Sequence, residues 1–268
     1  MFYGAKEGKV EIGATDMNYV TFGRGQKNLI IIPGLGDGLK TVKGTKILLT
    51  VMYKLFAKEH KVYFFSRKNY IEEGYSTREM AEDQRIAMEN LGIQNAYVMG
   101  ISQGGMISQY LAIDYPQMVD KLVIGVSVSK QNDNMQKVIK NWIALAKNND
   151  YKNLIIDTME KTFTENRLKK YRLLYPIVTK VGKPKDFNRF IIQANACLHH
   201  NSYDDLDKIK CSTLVIGGDS DKIVGENASK EMAERINKSK LILYKGLGHG
   251  AYEETKDFNR QVLRFLIS

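Results

Sequence analysis

Six short apolar runs, separated by amphipathic helical patterns, constrain the fold of this chain more than any other feature of its sequence. The first run, NLIIIPGLGDG at residues 28–38, is continuous and ends in a Pro- and Gly-rich loop, which is typical of a strand buried on both faces. The other runs cover residues 61–66, 95–101, 121–128, 212–218 and 240–246. The helical patterns cover residues 44–58, 77–91, 103–115, 226–237 and 252–266.

This alternation of strands and helices predicts the fold class. A mostly parallel, twisted sheet covered by helices on both faces, an α/β fold, is the architecture that such a rhythm favours. The opening segment, KVEIGATDMNYVTFGRG, alternates polar and apolar residues instead. It predicts an antiparallel pair of strands that joins the sheet.

The alternation breaks once, between the runs at 121–128 and 212–218. The residues in between have a helical pattern, are rich in Tyr, Phe and Lys, and include the only tryptophan, Trp142. A span of this length is too long for an ordinary loop. The sequence therefore predicts a core domain formed by residues 1–128 and 206–268, with residues 129–205 inserted as a helical cap.

The composition fits a protein of the cytoplasm. A length of 268 residues suits one large α/β domain with an insertion. Cys197 and Cys211 are the only cysteines, so the sequence implies no disulfide framework. The N-terminus lacks the apolar core of a signal peptide, and no run approaches the length of a membrane span. These features predict a cytoplasmic protein with no transmembrane segment.

The formal net charge of +10 is unevenly distributed along the chain. Residues 129–210 contain 16 Lys and Arg against 9 Asp and Glu, so 16 − 9 = +7 of the charge lies there. This region is either a solvated basic face or a surface for an anionic partner, such as a lipid headgroup or an acidic substrate. No nucleic-acid-binding motif accompanies the charge, so no nucleic-acid partner is predicted. The sequence carries no signal for an oligomeric state.

Ser102 lies in GISQG, residues 100–104, a G-x-S-x-G pattern between an apolar strand and a helix. This is the setting of a nucleophile elbow, a tight turn that holds its serine in a strained backbone conformation. Gly100 and Gly104 leave room for the strand and the helix to pack, and Gly105 lets the helix begin close to the strand. The helix N-terminus also favours developing negative charge. The pattern is weak alone, but its context predicts Ser102 as a nucleophile.

A serine nucleophile needs a general base, and a histidine base needs an acid to orient it. His249 lies in GLGHGAYEE, a glycine-flanked loop after the last predicted strand, at the sheet edge where Ser102 is expected. Asp219 and Asp221 follow the strand at 212–218, and both are candidates for the acid. The order serine, aspartate, histidine along the chain is the one expected for this arrangement.

The other three histidines are weaker candidates for a functional role. His60 ends a helical pattern, where a structural or surface histidine is more typical. His199 and His200 fall at the end of the predicted cap, with no further Cys or His at metal-ligand spacing, so no metal site is predicted. The alternative in which one of this pair faces the pocket stays open.

Acyl hydrolysis also needs N–H donors for the oxyanion. Gln103 follows Ser102 at the head of a helix, so its backbone N–H is available. The second donor is expected in the loop PGLGDG, where Gly34 and Leu35 are candidates and the Leu35 N–H is preferred. A turn-forming role for these glycines is the alternative.

Together these segments resemble the α/β-hydrolase fold family, in its capped single-domain form, over nearly the whole chain. NLIIIPGLGDG resembles the oxyanion strand and loop, and MGISQGG, with the following QYLAIDYPQMVDKLVI, resembles the elbow and the segment after it. LVIGGDSDKIVGENA resembles the acid loop and GLGHGAYEE the histidine loop. The resemblance implies Asp221, just before xxV, as the acid, with Asp219 as the fallback.

The sequence departs from the family pattern at three places. Pro33 replaces the histidine that often precedes the glycine of the oxyanion loop, and Ser212 replaces the usual proline before the acid strand. The frequent Asp-x-Arg-Gly motif keeps only its arginine, Arg67. The Asp-x-Arg-Gly and Ser212 positions do not carry the proposed chemistry, so these two changes concern the subfamily more than the activity. A serine nucleophile argues against haloalkane dehalogenase chemistry.

The predicted function is a carboxylesterase-like serine hydrolase that needs no cofactor and acts on a small-to-medium ester, amide or thioester. Acyl transfer, carbon–carbon bond hydrolysis and peracid formation are compatible with the same residues, and a non-catalytic ligand-binding or signalling protein is the alternative from another class. The predicted partner is a small acyl substrate, anionic or lipid-like.

Aromatic residues of the predicted cap either line an apolar pocket or pack as core; they are Trp142, Phe163, Tyr171 and Tyr175.

Overall fold

The computed structural model describes residues 3–268, and its eight strands form a single sheet. The strands are β1 (Lys6–Ile12), β2 (Thr15–Phe22), β3 (Lys27–Ile32), β4 (His60–Lys68), β5 (Ala96–Ile101), β6 (Val119–Gly125), β7 (Ser212–Gly218) and β8 (Ser239–Tyr244). Their order across the sheet is β1-β2-β4-β3-β5-β6-β7-β8. β2 pairs antiparallel with β1 and β4, and all other pairings are parallel. The predicted mostly parallel sheet with an antiparallel pair at its start is confirmed.

Helices cover both faces of this sheet. Those outside the segment between β6 and β7 are α1 (Lys46–Met52), α2 (Thr77–Asn90), α3 (Gln103–Asp114), α9 (Ala228–Arg235), α10 (Ala251–Glu254) and α11 (Lys256–Ile267). One hydrophobic cluster joins α2, α3 and α9 to the sheet, and a second joins α11 and the residues after α1 to the opposite face. No helix in the described part of the chain combines the length and hydropathy needed to cross a bilayer.

β3 shows why the central runs are apolar without interruption. Successive side chains of a strand point to opposite faces of its sheet. Leu29 and Ile31 pack in one cluster, Ile30 and Ile32 pack in the other, and all four are fully buried. A strand covered on both faces therefore needs an apolar residue at every position, and its carboxyl end can open directly into a functional loop.

The helix predicted over residues 44–58 is shorter than its sequence pattern. α1 ends at Met52, because Tyr53 leaves the helical conformation (φ −111°, ψ 17°). Turns then carry the chain to β4 and place Phe56 and Ala57, both fully buried, against the sheet. Packing of these two side chains outweighs the continued helical periodicity, and it leaves the apolar residues of α1 itself largely exposed.

The segment between β6 and β7 is helical. Its helices are α4 (Asp133–Lys147), α5 (Tyr151–Thr162), α6 (Glu165–Tyr171), α7 (Tyr175–Val178) and α8 (Asn188–Leu198). A third hydrophobic cluster joins α4, α5 and α8 to residues of the sheet loops, including Leu35 and Ile223. The division into a core of 1–128 and 206–268 and a cap of 129–205 stays a prediction, since this cluster spans both parts.

Candidate active site

Ser102 lies at the turn between β5 and α3 with φ 53° and ψ −119°. A positive φ is uncommon for a residue other than glycine, and such strain concentrates at functional sites. Two of its hydrogen bonds join the strained residue to the end of β6 and the loop after it: its N–H donates to the carbonyl of Gly125 (2.9 Å), and its own carbonyl accepts from the Ser127 hydroxyl (2.8 Å). The neighbouring strand β6 therefore fixes the turn from one side.

The two glycines of the elbow are required by close backbone approach. A Cβ atom on Gly100 would lie 2.2 Å from the carbonyl oxygen of Gly104, and one on Gly104 would lie 1.9 Å from that of Ile32. No side chain fits at such distances, and backbone atoms cannot move aside cheaply. The absence of these side chains lets α3 start directly over the ends of β5 and β3, with the serine at its N-terminus.

His249 lies between Ser102 and Asp221. Its Nε2 atom lies 3.0 Å from Ser102 Oγ, and its Nδ1 atom lies 2.8 Å from Asp221 Oδ2. The ring is buried, in the turn that joins β8 to α10. A carboxylate at Nδ1 favours the tautomer in which Nδ1 carries the proton, so the Nε2 lone pair faces the serine hydroxyl.

Asp221 and Asp219 have different environments, although both follow β7. Asp221 is buried, and its Oδ1 atom accepts the N–H groups of Ile223 (2.8 Å) and Val224 (3.0 Å), which leaves Oδ2 for the histidine. Asp219 instead accepts from the Gly246 N–H (2.7 Å), and this hydrogen bond lowers the pKa of its carboxyl group. Of the two aspartates predicted from the sequence, the structure brings Asp221 to His249.

The two predicted oxyanion donors flank the serine. A Cβ atom on Gly34 would lie 3.3 Å from Ser102 Cβ, so the loop after β3 runs directly beside the serine, and Leu35 begins the short 3₁₀ helix that follows. Gln103 is the first residue of α3. Neither the Leu35 nor the Gln103 N–H donates a hydrogen bond to any other residue in the described part of the chain. Two such free donors beside a serine are suited to an oxyanion.

A buried polar network behind the serine was not predicted from the sequence. The fully buried Arg67, at the end of β4, donates to the side-chain oxygen of Gln103 (2.6 Å) and to the carbonyl of Pro33 (2.6 Å). The side-chain nitrogen of Gln103 donates to the Gln193 carbonyl (2.8 Å) and the Cys197 sulfur (3.2 Å). The available signal was a cation directly after an apolar strand run, because a buried arginine at the end of such a strand needs partners.

Asp37 links the same network to α8. Its carboxylate accepts from the guanidinium of Arg189 (2.8 Å) and from the backbone N–H of Arg67 (3.1 Å). Arg189 also donates to the carbonyl of Arg67 (2.9 Å). A helix of the segment between β6 and β7 is thereby attached to the strand and loop that border the serine.

A cavity of about 450 Å³ opens beside Ser102 and His249. Its walls are largely apolar and come from the loop after β3, α1, α5, the turn before α10 and α10 itself. Of the four aromatic residues predicted either to line a pocket or to form core, Trp142 and Phe163 line the cavity. Tyr171 packs edge-on against Phe163, with ring centroids 4.8 Å apart, and Tyr175 donates to Glu160 (2.8 Å).

The remaining histidines and the buried thiol lie outside the cavity lining. His200 is buried against Thr77, and burial lowers the pKa of His200 to about 3 and also lowers the pKa of His60. Burial raises the pKa of Cys197 to about 12, so this thiol stays protonated at neutral pH and is a poor nucleophile. Within residues 3–268, no cluster of His, Cys, Asp or Glu side chains could hold a metal ion.

Comparison with known proteins places this chain in a family. The model of the α/β hydrolase fold matches residues 28–256. The chain is 27% identical over 195 residues to a putative carbamate hydrolase of Caulobacter sp. (strain K31), covering 70% of this chain and 71% of that protein. It is 26% identical over 223 residues to a bifunctional esterase/perhydrolase of Acinetobacter calcoaceticus, covering 75% and 78%.

A solved structure shows the same fold over the whole length. An α/β hydrolase enzyme from a Medee basin deep-sea metagenome library superposes with a TM-score of 0.83 at 22% identity, covering 97% of this chain and 98% of that one. At this identity the likeness carries the fold alone, and the predicted α/β-hydrolase fold is thereby confirmed.

Proposed function

The chain belongs to the α/β-hydrolase fold family, and from that premise we propose that it is a serine hydrolase that cleaves carboxylic esters through an acyl-enzyme on Ser102. The observation that carries the proposal is the contact of His249 with both partners: 3.0 Å to the serine oxygen and 2.8 Å to the Asp221 carboxylate. This is the relation among nucleophile, base and orienting acid that serine hydrolysis needs.

In the proposed mechanism Ser102 Oγ attacks the acyl carbonyl while His249 Nε2 takes the serine proton. Asp221 keeps the ring in the required tautomer and stabilises the imidazolium that forms. The Leu35 and Gln103 N–H groups bind the oxyanion of the tetrahedral intermediate. The intermediate then collapses, and His249 protonates the departing alkoxide. The acyl group remains on Ser102 as an ester.

Water completes the turnover in a second pair of steps, in which water is the nucleophile and Ser102 Oγ is the leaving group. His249 removes a proton from water, and the resulting hydroxide adds to the acyl-enzyme carbonyl in the same oxyanion site. Collapse of this second intermediate breaks the bond to Ser102 Oγ, which recovers its proton from the imidazolium. The carboxylic acid product then leaves through the cavity.

The cavity supports a small-to-medium, mainly apolar acyl group. A volume of about 450 Å³ is in the range of pockets for small molecules, and its lining is largely hydrophobic and aromatic. Amide, thioester and carbamate substrates, acyl transfer, carbon–carbon hydrolysis and peracid formation use compatible chemistry. The intact relation of base and nucleophile favours turnover over the ligand-binding or signalling alternative.

The test combines covalent labelling with a substrate series. A fluorophosphonate should label Ser102 in the wild-type chain and fail to label Ser102→Ala, with the labelled peptide identified by mass spectrometry. p-Nitrophenyl esters from acetate to octanoate should be hydrolysed by the wild type, and hydrolysis by Ser102→Ala should fall to the background rate. Full esterase activity in Ser102→Ala would overturn the proposal, and tight binding of the esters without turnover would favour the non-catalytic alternative.

A further inference from the structure

The apolar residues of α1 and the turn after it face solvent. Five large side chains are between 39 and 59% exposed; they are Ile47, Leu48, Val51, Met52 and Leu55, together called the α1 apolar face. Contiguous exposed apolar surface on a soluble domain commonly marks a site of interaction with a protein or a lipid. Within residues 3–268, no element buries these five side chains.

Lysines flank the α1 apolar face in the sequence. Residues 38–58 contain five lysines and no acidic residue; the lysines are Lys40, Lys43, Lys46, Lys54 and Lys58. All five are exposed, and none forms an ion pair with another residue between 3 and 268. The backbone N–H of Lys46 donates to the carboxylate of Glu7 (3.3 Å), and Asp37 and Glu59 border this range in the sequence.

The α1 apolar face is continuous with the cavity beside Ser102. Leu48 and Met52 belong to both, since each is exposed on the helix and also lines the cavity. Leu49, on the inner side of α1, lines the cavity as well. An apolar molecule that leaves a surface in contact with α1 would therefore pass along apolar side chains to the serine.

We propose that the α1 apolar face docks on an anionic lipid bilayer, with α1 lying in the headgroup region and its lysines on the lipid phosphates. A short helix with an apolar face bordered by lysines is the arrangement that favours interfacial binding, and anionic lipids add electrostatic attraction. A second copy of the chain is a poorer occupant, because self-association through this face would bring two sets of five unpaired lysines together. Docking on the bilayer does not depend on the proposed function. Only its consequence, that an acyl chain reaches Ser102 from the bilayer, rests on the proposed function.

The experiment measures sedimentation of the full chain with vesicles. Binding is expected to vesicles of phosphatidylcholine mixed with phosphatidylglycerol, to fall as salt is raised, and to be weak with phosphatidylcholine alone. Ile47→Ser combined with Val51→Ser removes two exposed side chains that do not line the cavity. The partition coefficient of this variant should fall about tenfold or more, because two large apolar groups no longer enter the interface.

A matched control comes from another exposed apolar pair in a basic segment. Leu173 and Ile177 are 80 and 60% exposed within residues 169–185, which contain six Lys and Arg and no acid, and neither residue lines the cavity. Leu173→Ser with Ile177→Ser should bind the mixed vesicles as the wild type does. Both variants should keep the wild-type melting temperature and the wild-type rate on a soluble short-chain ester.

Three results would overturn the proposal. Wild-type vesicle binding by Ile47→Ser with Val51→Ser would do so, as would an equal loss in the control pair. A wild-type dimer in sedimentation velocity that the α1 variant converts to monomer would show that a second copy covers this face. Ser102→Ala should bind vesicles normally, so a failure of the proposed hydrolase activity leaves the vesicle result intact.

Discussion

The guanidinium of Arg67 donates a 2.6 Å hydrogen bond to the side-chain oxygen of Gln103, the residue that follows Ser102. The same nitrogen donates to the carbonyl of Pro33 at 2.6 Å. One buried cation therefore joins the start of α3 to the loop after β3, the two segments that present the proposed oxyanion donors. The relative position of those donors depends on a residue that does not line the cavity.

Arg67→Met should lower kcat for a p-nitrophenyl ester by about tenfold or more and change KM little, because small displacements of oxyanion donors weaken binding of the transition state. Stability should fall by about 2–3 kcal/mol, since Gln103 and Pro33 lose a charged donor in the interior. Stopped assays at several ester concentrations and thermal melts measure the two effects. Arg78→Met, which removes an exposed ion pair with Asp114, should leave kcat unchanged. An unchanged kcat in folded Arg67→Met would contradict the positioning role.

Asp221→Asn should lower kcat by about 10³–10⁴-fold, because the amide no longer stabilises the imidazolium and favours the wrong tautomer of His249. Asp219→Asn is the matched control: this aspartate is two residues away but accepts from the Gly246 N–H and has no contact with the histidine. Its kcat should equal that of the wild type. Ester hydrolysis by the two purified variants shows which aspartate is the acid that orients His249. Similar losses of kcat in both variants would show that Asp221 is wrongly assigned.

Gly104→Ala should destabilise the fold by about 3 kcal/mol, near the upper end for overpacking, because the new Cβ would lie 1.9 Å from the backbone oxygen of Ile32. Labelling of Ser102 by a fluorophosphonate should slow in the same variant, since α3 must shift. Gly36→Ala is the control, because no atom outside its own chain neighbourhood lies within 4 Å of its Cβ position, and its stability should change by about 0.5 kcal/mol or less. Urea denaturation measures both variants. Equal stability of the two would show that α3 relaxes at little cost.

The sequence predicted those features that depend on local pattern and chain order. β3 reads as a buried strand because Leu29 to Ile32 face a core on each side. Loops that follow parallel strands meet at one sheet edge, which is why Ser102, Asp221 and His249, far apart in the chain, could be expected to lie together. Their catalytic roles stay predictions that the variants above test.

Features that depend on packing between distant segments were not predictable in this way. The end of α1 at Met52 is set by burial of Phe56 on the sheet, and no local pattern separates that helix from a longer one. The partners of Arg67 lie 34 and 36 residues away, and Tyr175 donates to Glu160 and does not line the cavity. Helical periodicity could not distinguish Tyr175 from Trp142, which lines the cavity.

One buried histidine, His200, lies outside the site. His200 is fully buried, with Nδ1 2.9 Å from the hydroxyl of Thr77 and its ring edge-on to Tyr110. Burial lowers the pKa of His200 to about 3, whereas the unfolded chain binds this proton near pH 6.5. Between these values the unfolded state binds more protons than the folded state, so the free energy of unfolding decreases as the pH falls.

The wild type should therefore lose about 1.4 kcal/mol of stability per pH unit from this residue between pH 6 and pH 4, and nothing above about pH 7. His200→Asn lowers stability at neutral pH by removing buried contacts, yet its slope in the acid range should be smaller by that amount. Urea unfolding of both chains at several pH values gives the difference of slopes, in which contributions from His60 and the carboxyl groups cancel. Parallel pH profiles for the two chains would mean that His200 becomes protonated in the folded state without cost.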